Sequence, residues 1–208
     1  MKAALGTLLA LAVVLVPSAA VAAHLRGTTG PDVLVGTAKR DWIEGRGGAD
    51  AIQGQGGDDL LTGGPGDDWV RGGAGNDEIG DDRGRDYLIG GPGNDSLDGG
   101  RGRDEVIGGP GRDHVADLLG GDRLDSGAGD DRATVASRSS RLYPPTHLDL
   151  GPGDDELLLD HDGRRDVIDC GPGDDLVEFL EVLDPQDRLV SCETVREYQG
   201  KRPATMRP

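Results

Sequence analysis

The 208-residue sequence predicts an all-β solenoid of stacked turn and strand repeats, and three observations predict it. Aspartate recurs at every ninth residue: Asp32, Asp41, Asp50, Asp59, Asp68, Asp77, Asp86, Asp95, Asp104, Asp113, Asp122 and Asp131. Two residues after each stands an apolar or small side chain, from Leu34, Ile43, Ile52, Leu61, Val70 and Ile79 through Leu88, Leu97, Val106, Val115 and Leu124 to Ala133. Glycine is fourth in eleven of the twelve resulting nonapeptides and first in nine, which makes the leading part of each a turn. A fixed short period is the signature of a repeat architecture. A turn followed by three strand residues cannot bury its one hydrophobe alone, so the repeats must stack to make a core.

The elements follow in order. Lys2, an apolar stretch over residues 3–16, Pro17-Ser18 and the small run Ala19-Ala20-Val21-Ala22-Ala23 read as a secretory signal peptide over 1–23. A membrane anchor is the competing reading, but about 14 apolar residues are short for a bilayer. No second hydrophobic stretch follows, so no membrane span is expected in the mature chain. Residues 24–134 hold the repeats without insertion or loss, as in Gly63-Gly64-Pro65-Gly66-Asp67-Asp68-Trp69-Val70-Arg71. Each closing triplet should point outward, inward, outward.

Residues 135–147, with Ser139-Ser140 and Pro144-Pro145 and no aspartate, read as a loop or linker. Over 148–198 repeat-like pieces return at uneven spacing: Gly151-Pro152-Gly153-Asp154-Asp155, Asp166-Val167-Ile168, Gly171-Pro172-Gly173-Asp174-Asp175 and Asp187-Arg188-Leu189. A solenoid exposes the apolar end of its core unless something covers it, and residues 166–195 are placed to be that cap. Cys170 and Cys192 are the only cysteines, and an oxidising destination makes a disulfide between them the natural reading. The tail 199–208 is expected to be disordered.

The nonapeptides resemble the hemolysin-type (RTX) calcium-binding repeat. That resemblance implies a right-handed parallel β-roll in which two nonapeptides make one coil, so that neighbouring turns along an edge lie 18 residues apart. Asp32, Asp50, Asp68, Asp86, Asp104 and Asp122 would then line one edge, and Asp41, Asp59, Asp77, Asp95, Asp113 and Asp131 the other. Coils of a parallel sheet lie about 4.8 Å apart, a gap that carboxylates resist unless a cation sits between them. Calcium takes six to eight oxygens and suits such a gap better than magnesium. Several calcium ions are therefore the expected cofactor.

Asp50, Asp59, Asp68, Asp77, Asp95, Asp104 and Asp113 lie in the best consensus and are the first candidate ligands, ahead of Asp32, Asp41, Asp86, Asp122 and Asp131. Asp155 and Asp175 are secondary. Three turns depart from the pattern and are expected to bind weakly or not at all: Lys39 before Asp41, Asp81-Asp82 before Asp86, and Asp117-Leu118-Leu119 before Asp122.

Composition sorts the function classes. The net charge of −17, carried by 31 aspartates against eight glutamates, fits ligand density and argues against nucleic acid as a partner. No Gly-x-Ser-x-Gly or His-Glu-x-x-His occurs, and His24, His114, His147 and His161 show no paired spacing, so no enzyme is expected. The leading reading is a secreted, extracellular calcium-binding β-roll that folds on its metal. The alternative is a surface-interaction protein that presents Val33, Val35, Trp69, Tyr87, Ile89 and Ile107 on one face, with Trp42 and Leu60 on the other. Scattered surface hydrophobes are the blander account of that row.

Overall fold

The structure, a computed structural model, describes residues 12–15, 22–117, 121–135, 145–160, 165–180 and 185–197. Among these residues the chain is all strand and turn, without a helix. Two ten-stranded parallel sheets take the strands of successive repeats alternately, and Arg83–Gly84 pairs with Arg101–Gly102 in a separate two-stranded parallel sheet. Odd-numbered repeats supply one sheet, with Asp32–Val35, Ala51–Gly56, Trp69–Ala74, Tyr87–Ile89, Glu105–Pro110 and Arg123–Ala128 in sequence. Even-numbered repeats supply the other, from Trp42–Glu44 and Leu60–Thr62 through Glu78–Gly80, Ser96–Asp98 and His114–Asp117 to Arg132–Val135.

The register is the one implied by two nonapeptides per coil. Ile52 pairs with Val70, Val70 with Leu88, and Leu88 with Val106 in one sheet. In the other, Ile43 pairs with Leu61 and Leu61 with Ile79. Side chains alternate along each strand, so fixing the aspartate at the turn-strand junction fixes the second residue after it as inward. Leu34 through Leu124 are all within 1% of complete burial, and with Ala133 they form a single core cluster between the sheets. Replacing Val70 by Asp should therefore cost about 3–5 kcal/mol, the penalty of an unpaired charge in an apolar stack. Thermal unfolding in calcium checks this, and a melting temperature equal to wild type would contradict it.

Glycine at the fourth position has a steric cause. A β-carbon on Gly66 would lie 1.7 Å from the carbonyl oxygen of Gly48, one coil earlier, and one on Gly93 would lie 1.8 Å from Gly75 O at φ +147°. The turns are as closely stacked as the strands. Their N–H groups are satisfied between coils, as Gly66 N–H donates to Arg83 O at 2.9 Å and Gly93 N–H to Pro110 O at 3.0 Å.

The same two sheets continue beyond the regular repeats. His147–Asp149, Val167–Asp169 and Arg188–Val190 extend one, while Glu156–Leu159, Leu176–Phe179 and Thr194–Glu197 extend the other. Successive turns are now 24, 20 or 21 residues apart instead of 18, yet Leu148, Leu157, Ile168 and Val177 stay in the core. The terminal segment thus continues the solenoid as further coils, because Asp166-Val167-Ile168 and Asp187-Arg188-Leu189 keep the spacing from aspartate to inward hydrophobe. The Cys170–Cys192 disulfide ties the last coils together with a Cα–Cα distance of 5.2 Å. Leu189 and Cys192 pack against the core, and Val195, 40% exposed, stands where it ends.

At the other end, Ala12–Leu15 pairs with Asp32–Val35, and His24–Arg26 with Trp42–Glu44. Most of the expected signal peptide, the centre of the expected loop at 136–144 and the tail 199–208 lie outside the described residues. No described helix is long and apolar enough to cross a membrane.

Candidate metal centre

Each repeat aspartate ends a turn and begins a strand, and its backbone carbonyl and carboxylate do different work. The carbonyl joins the sheet: Asp68 O accepts from Tyr87 N–H at 2.9 Å, and Asp59 O from Glu78 N–H at 2.9 Å. The aspartate N–H is met by a carboxylate. Asp68 N–H donates to Asp86 Oδ1 at 2.9 Å, and Asp50 N–H to Asp68 Oδ1 at 2.7 Å. Asp32 and Asp86 donate in the same way to Asp50 and Asp104, and Asp104 to Asp122. The second edge repeats this from Asp41 through Asp59, Asp77, Asp95 and Asp113 to Asp131, at 2.7–2.8 Å. The two rows of six implied by the repeat are therefore both present.

The rows contain an arrangement that spacing alone does not show. From Asp50 onward one oxygen of each row carboxylate is used inside the protein, as acceptor for the preceding coil, so the carboxylates do not simply face one another. In eight of them the other oxygen has no donor. In Asp50, Asp59, Asp68, Asp77, Asp86, Asp95, Asp113 and Asp131, Oδ2 is buried and without a hydrogen-bond partner, in residues only 1–3% exposed. A buried acceptor left without a partner costs free energy, more so when charged.

What these oxygens face is a small space lined by other acceptors. The position of a β-carbon on Gly54 would be 2.2 Å from Asp59 Oδ2 and 2.6 Å from the carbonyl oxygen of Gly72. Gly45 is bounded likewise by Asp50 Oδ2 at 2.5 Å and Gly63 O at 2.6 Å, and Gly90 by Asp95 Oδ2 at 2.4 Å and Gly108 O at 2.7 Å. The first-position glycine thus leaves room beside a carboxylate oxygen and a carbonyl oxygen of the next coil. An oxygen-only donor set with negative charge fits a hard divalent cation such as calcium. His114, the one histidine within the nonapeptides, is exposed, with Nε2 3.4 Å from Thr134 Oγ1.

Electrostatics point the same way. Desolvation raises the carboxyl groups of Asp59, Asp95 and Asp131 to about 7, and those of Asp68 and Asp86 to about 6. Neighbouring aspartates push Asp59, Asp68, Asp95 and Asp131 further up, while the donated backbone N–H pulls each back. Asp50, Asp77 and Asp113 are also raised, chiefly by burial.

The candidates are not equivalent. Asp41 has both oxygens engaged within the chain: Ala23 N–H and the Thr37 hydroxyl donate to Oδ1, and Thr37 N–H donates to Oδ2. Asp32 Oδ2 accepts from Thr28 N–H and the Thr28 hydroxyl, leaving Oδ1 buried without a partner. Threonine at the second position of these two repeats is the sequence signal. Farther along, Asp155 and Asp175 join the second row, Asp131 N–H donating to Asp155 Oδ1 at 2.7 Å and Asp155 N–H to Asp175 Oδ1 at 3.0 Å. Their Oδ2 atoms are also buried without a donor. Glu193, which the aspartate pattern passes over, accepts from Asp175 N–H at 3.2 Å in the next coil, and its 18-residue spacing was the available signal. On the first row Thr146 replaces aspartate, and its N–H donates to Asp166 Oδ1 at 2.8 Å.

Asp81 is the other residue that the period hides. It occupies the first position of its repeat, where glycine is usual, and its carboxylate lies with those of Asp68 and Asp86 so that one oxygen of each is within 4.8 Å of the others. Asp81 Oδ1 accepts from Gly64 N–H at 2.7 Å and Asp82 N–H at 2.9 Å. Burial, followed by the charges of Asp86 and Asp68, raises its carboxyl group to about 8.

The outward hydrophobes are dispersed. Trp69 is 39% exposed on one sheet, while Val33, Val35, Tyr87, Ile89 and Ile107 beside it are half-buried. Trp42, on the other sheet, is 50% exposed and stacks on His24 with ring centroids 4.5 Å apart.

Comparison with known proteins agrees with this geometry. The family model of the RTX calcium-binding nonapeptide repeat matches four times, over residues 26–61, 44–79, 81–115 and 107–134. These segments together cover just over half of the chain. No curated protein matches over the sequence. The unbroken period, the two aspartate rows and the family match converge: the chain belongs to the RTX calcium-binding nonapeptide repeat family.

Proposed function

We propose that this is a secreted, extracellular calcium-binding protein whose solenoid orders on taking up several calcium ions at its Gly and Asp turns. One observation carries the reading: rows of buried carboxylate oxygens without donors, those of Asp50, Asp59, Asp95 and Asp113 each beside a carbonyl oxygen of the next coil. Bound calcium would supply the positive charge that these oxygens lack. Asp50, Asp59, Asp68, Asp77, Asp86, Asp95, Asp113 and Asp131 are the ligands we propose first, and Asp104 and Asp122 continue the first row. Asp155 and Asp175 join them by the same criterion, while Asp32 ranks lower because its own turn takes one of its oxygens, and Asp41 last because its turn takes both. The role is one of binding and not of catalysis.

In this reading residues 1–23 are a signal peptide, 24–134 the binding solenoid, and 148–198 its disulfide-closed end. Support for export comes from the charge, apolar and small-residue order of the N-terminus together with the disulfide. Cleavage would leave Asp32–Val35 as an end strand of its sheet.

Calcium titration calorimetry on two variants tests the ligand assignment. Asp95→Ala, in mid-row, should remove binding at its own turn and weaken its neighbours, because each carboxylate belongs to two coils. Asp41→Ala should leave calcium uptake close to wild type. Equal losses in both variants would contradict the assignment.

A further inference from the structure

The turn before Asp86 breaks the repeat by placing Asp81-Asp82 where two glycines are usual, and on sequence grounds it ranks among the weak ones. The structure shows what replaced the glycine. The equivalent space beside Gly45, Gly54 and Gly90 is bounded by one carboxylate and one carbonyl oxygen, whereas beside Gly63 it is bounded by Asp81 Oδ2 at 2.3 Å, Asp68 Oδ2 at 2.6 Å and Asp81 Oδ1 at 2.8 Å from the β-carbon position. Asp68 and Asp86 are 3% and 2% exposed, and the Oδ2 atoms of all three aspartates are buried without a hydrogen-bond partner. The nearby cation Arg83 is turned elsewhere, with Nε 3.9 Å from Asp82 Oδ2.

Three carboxylates converge here with one oxygen of each within 4.8 Å of the others, and the Asp68 oxygen among them is unpartnered and almost wholly buried. From this geometry we propose that Asp68, Asp81 and Asp86 form a three-carboxylate calcium site that binds more tightly than the Gly and Asp turns beside it. The proposal rests on the calcium-binding reading above and adds to it a ranking and a residue, Asp81, outside the repeat aspartates. The physical reason is ligand charge, which together with site rigidity sets calcium affinity across protein sites. The turns at Gly45, Gly54 and Gly90 offer a carbonyl at the place where this one offers a third carboxylate. The cluster is also held rigidly, since Asp68 N–H fixes Asp86 Oδ1 at 2.9 Å and Gly64 N–H fixes Asp81 Oδ1 at 2.7 Å.

The test is calorimetric titration of the intact chain with calcium chloride in metal-stripped buffer at neutral pH, for wild type, Asp81→Gly and Asp81→Asn. Wild type should show one site at least about tenfold tighter than the rest. Asp81→Gly, which restores the usual repeat, should lose that tight class and keep the others, with an unchanged circular dichroism spectrum in saturating calcium. Asp81→Asn keeps the size of the side chain and removes its charge, so it should lose the tight class too, and it decides the matter if the glycine variant does not fold. A tight class that persists in the folded variants, or binding that becomes tighter, overturns the proposal while leaving the calcium-binding reading in place. A wild-type chain that takes up no calcium overturns both.

Discussion

In metal-stripped buffer at pH 7.5 the chain should show little β-structure by circular dichroism, and millimolar calcium should convert it to the full two-sheet spectrum in a cooperative step. The balance of terms behind this is unusual. A core of one inward residue per nine has to offset the ordering of a backbone that contains 37 glycines, each of which loses more freedom than other residues. Against it stand rows of aspartates packed one above another, with oxygens such as Asp59 Oδ2 and Asp95 Oδ2 buried and lacking donors. Cation binding reverses the electrostatic term, and because an unfolded chain holds no formed site, binding free energy becomes folding free energy. Cooperativity follows from the ladder, since ordering Asp77 also fixes the acceptor for Asp59 and the donor to Asp95. A metal-free chain with full β-structure, unchanged by calcium, would show that the fold stands without the metal.

The second large effect is on pH, and its sign is opposite to ordinary acid denaturation. Asp59, Asp95 and Asp131 titrate at about 7 in the metal-free fold, Asp68, Asp86 and Asp155 at about 6, and Asp81 at about 8. Burial is the main cause in each case. In the unfolded chain the same groups titrate near 3.9. The folded state therefore holds protons that the unfolded state has released, and stability from this source is complete below about pH 4 and lost as pH rises through 6 to 8. The metal-free chain should gain β-structure when acidified from pH 8 to pH 5. With calcium present the trend should invert, because protons compete with the metal for the carboxylates. Circular dichroism at pH 5, 6, 7 and 8, with and without calcium, checks both directions. High salt at pH 8 serves as the control, as it screens exposed charge far more than buried charge. A metal-free chain that loses structure on acidification would contradict the burial of these carboxylates.

Much of the fold was legible in the sequence because its determinants are local and repeated. The aspartate period set the turns, the strand alternation set Leu34 through Ala133 inward, and the RTX resemblance supplied the coil of 18 residues that Ile52, Val70 and Leu88 display. The pairing of Cys170 with Cys192 followed from their being the only two. The uneven C-terminal third was legible in pieces, since Asp166 and Asp187 still announce their strands. Its exact stacking was not, because intervals of 24, 20 and 21 residues offer no period to extend.

The chemistry of the rows was decided by the tertiary structure. Spacing places Asp68 above Asp50, but only the stacking of coils determines that one carboxylate oxygen meets the N–H of Asp50 while the other is left without a donor. The same stacking brings the Ala23 N–H onto Asp41, whose carboxylate its own turn already engages through Thr37, and brings Asp81 against Asp68. These two are contacts between coils, made by residues 18 and 13 positions apart that meet only once the turns are laid over one another. A periodic sequence determines which residues recur at equivalent places. Which oxygen finds a donor depends on distances of a few tenths of an ångström between neighbouring turns, and those distances exist only in the packed solenoid.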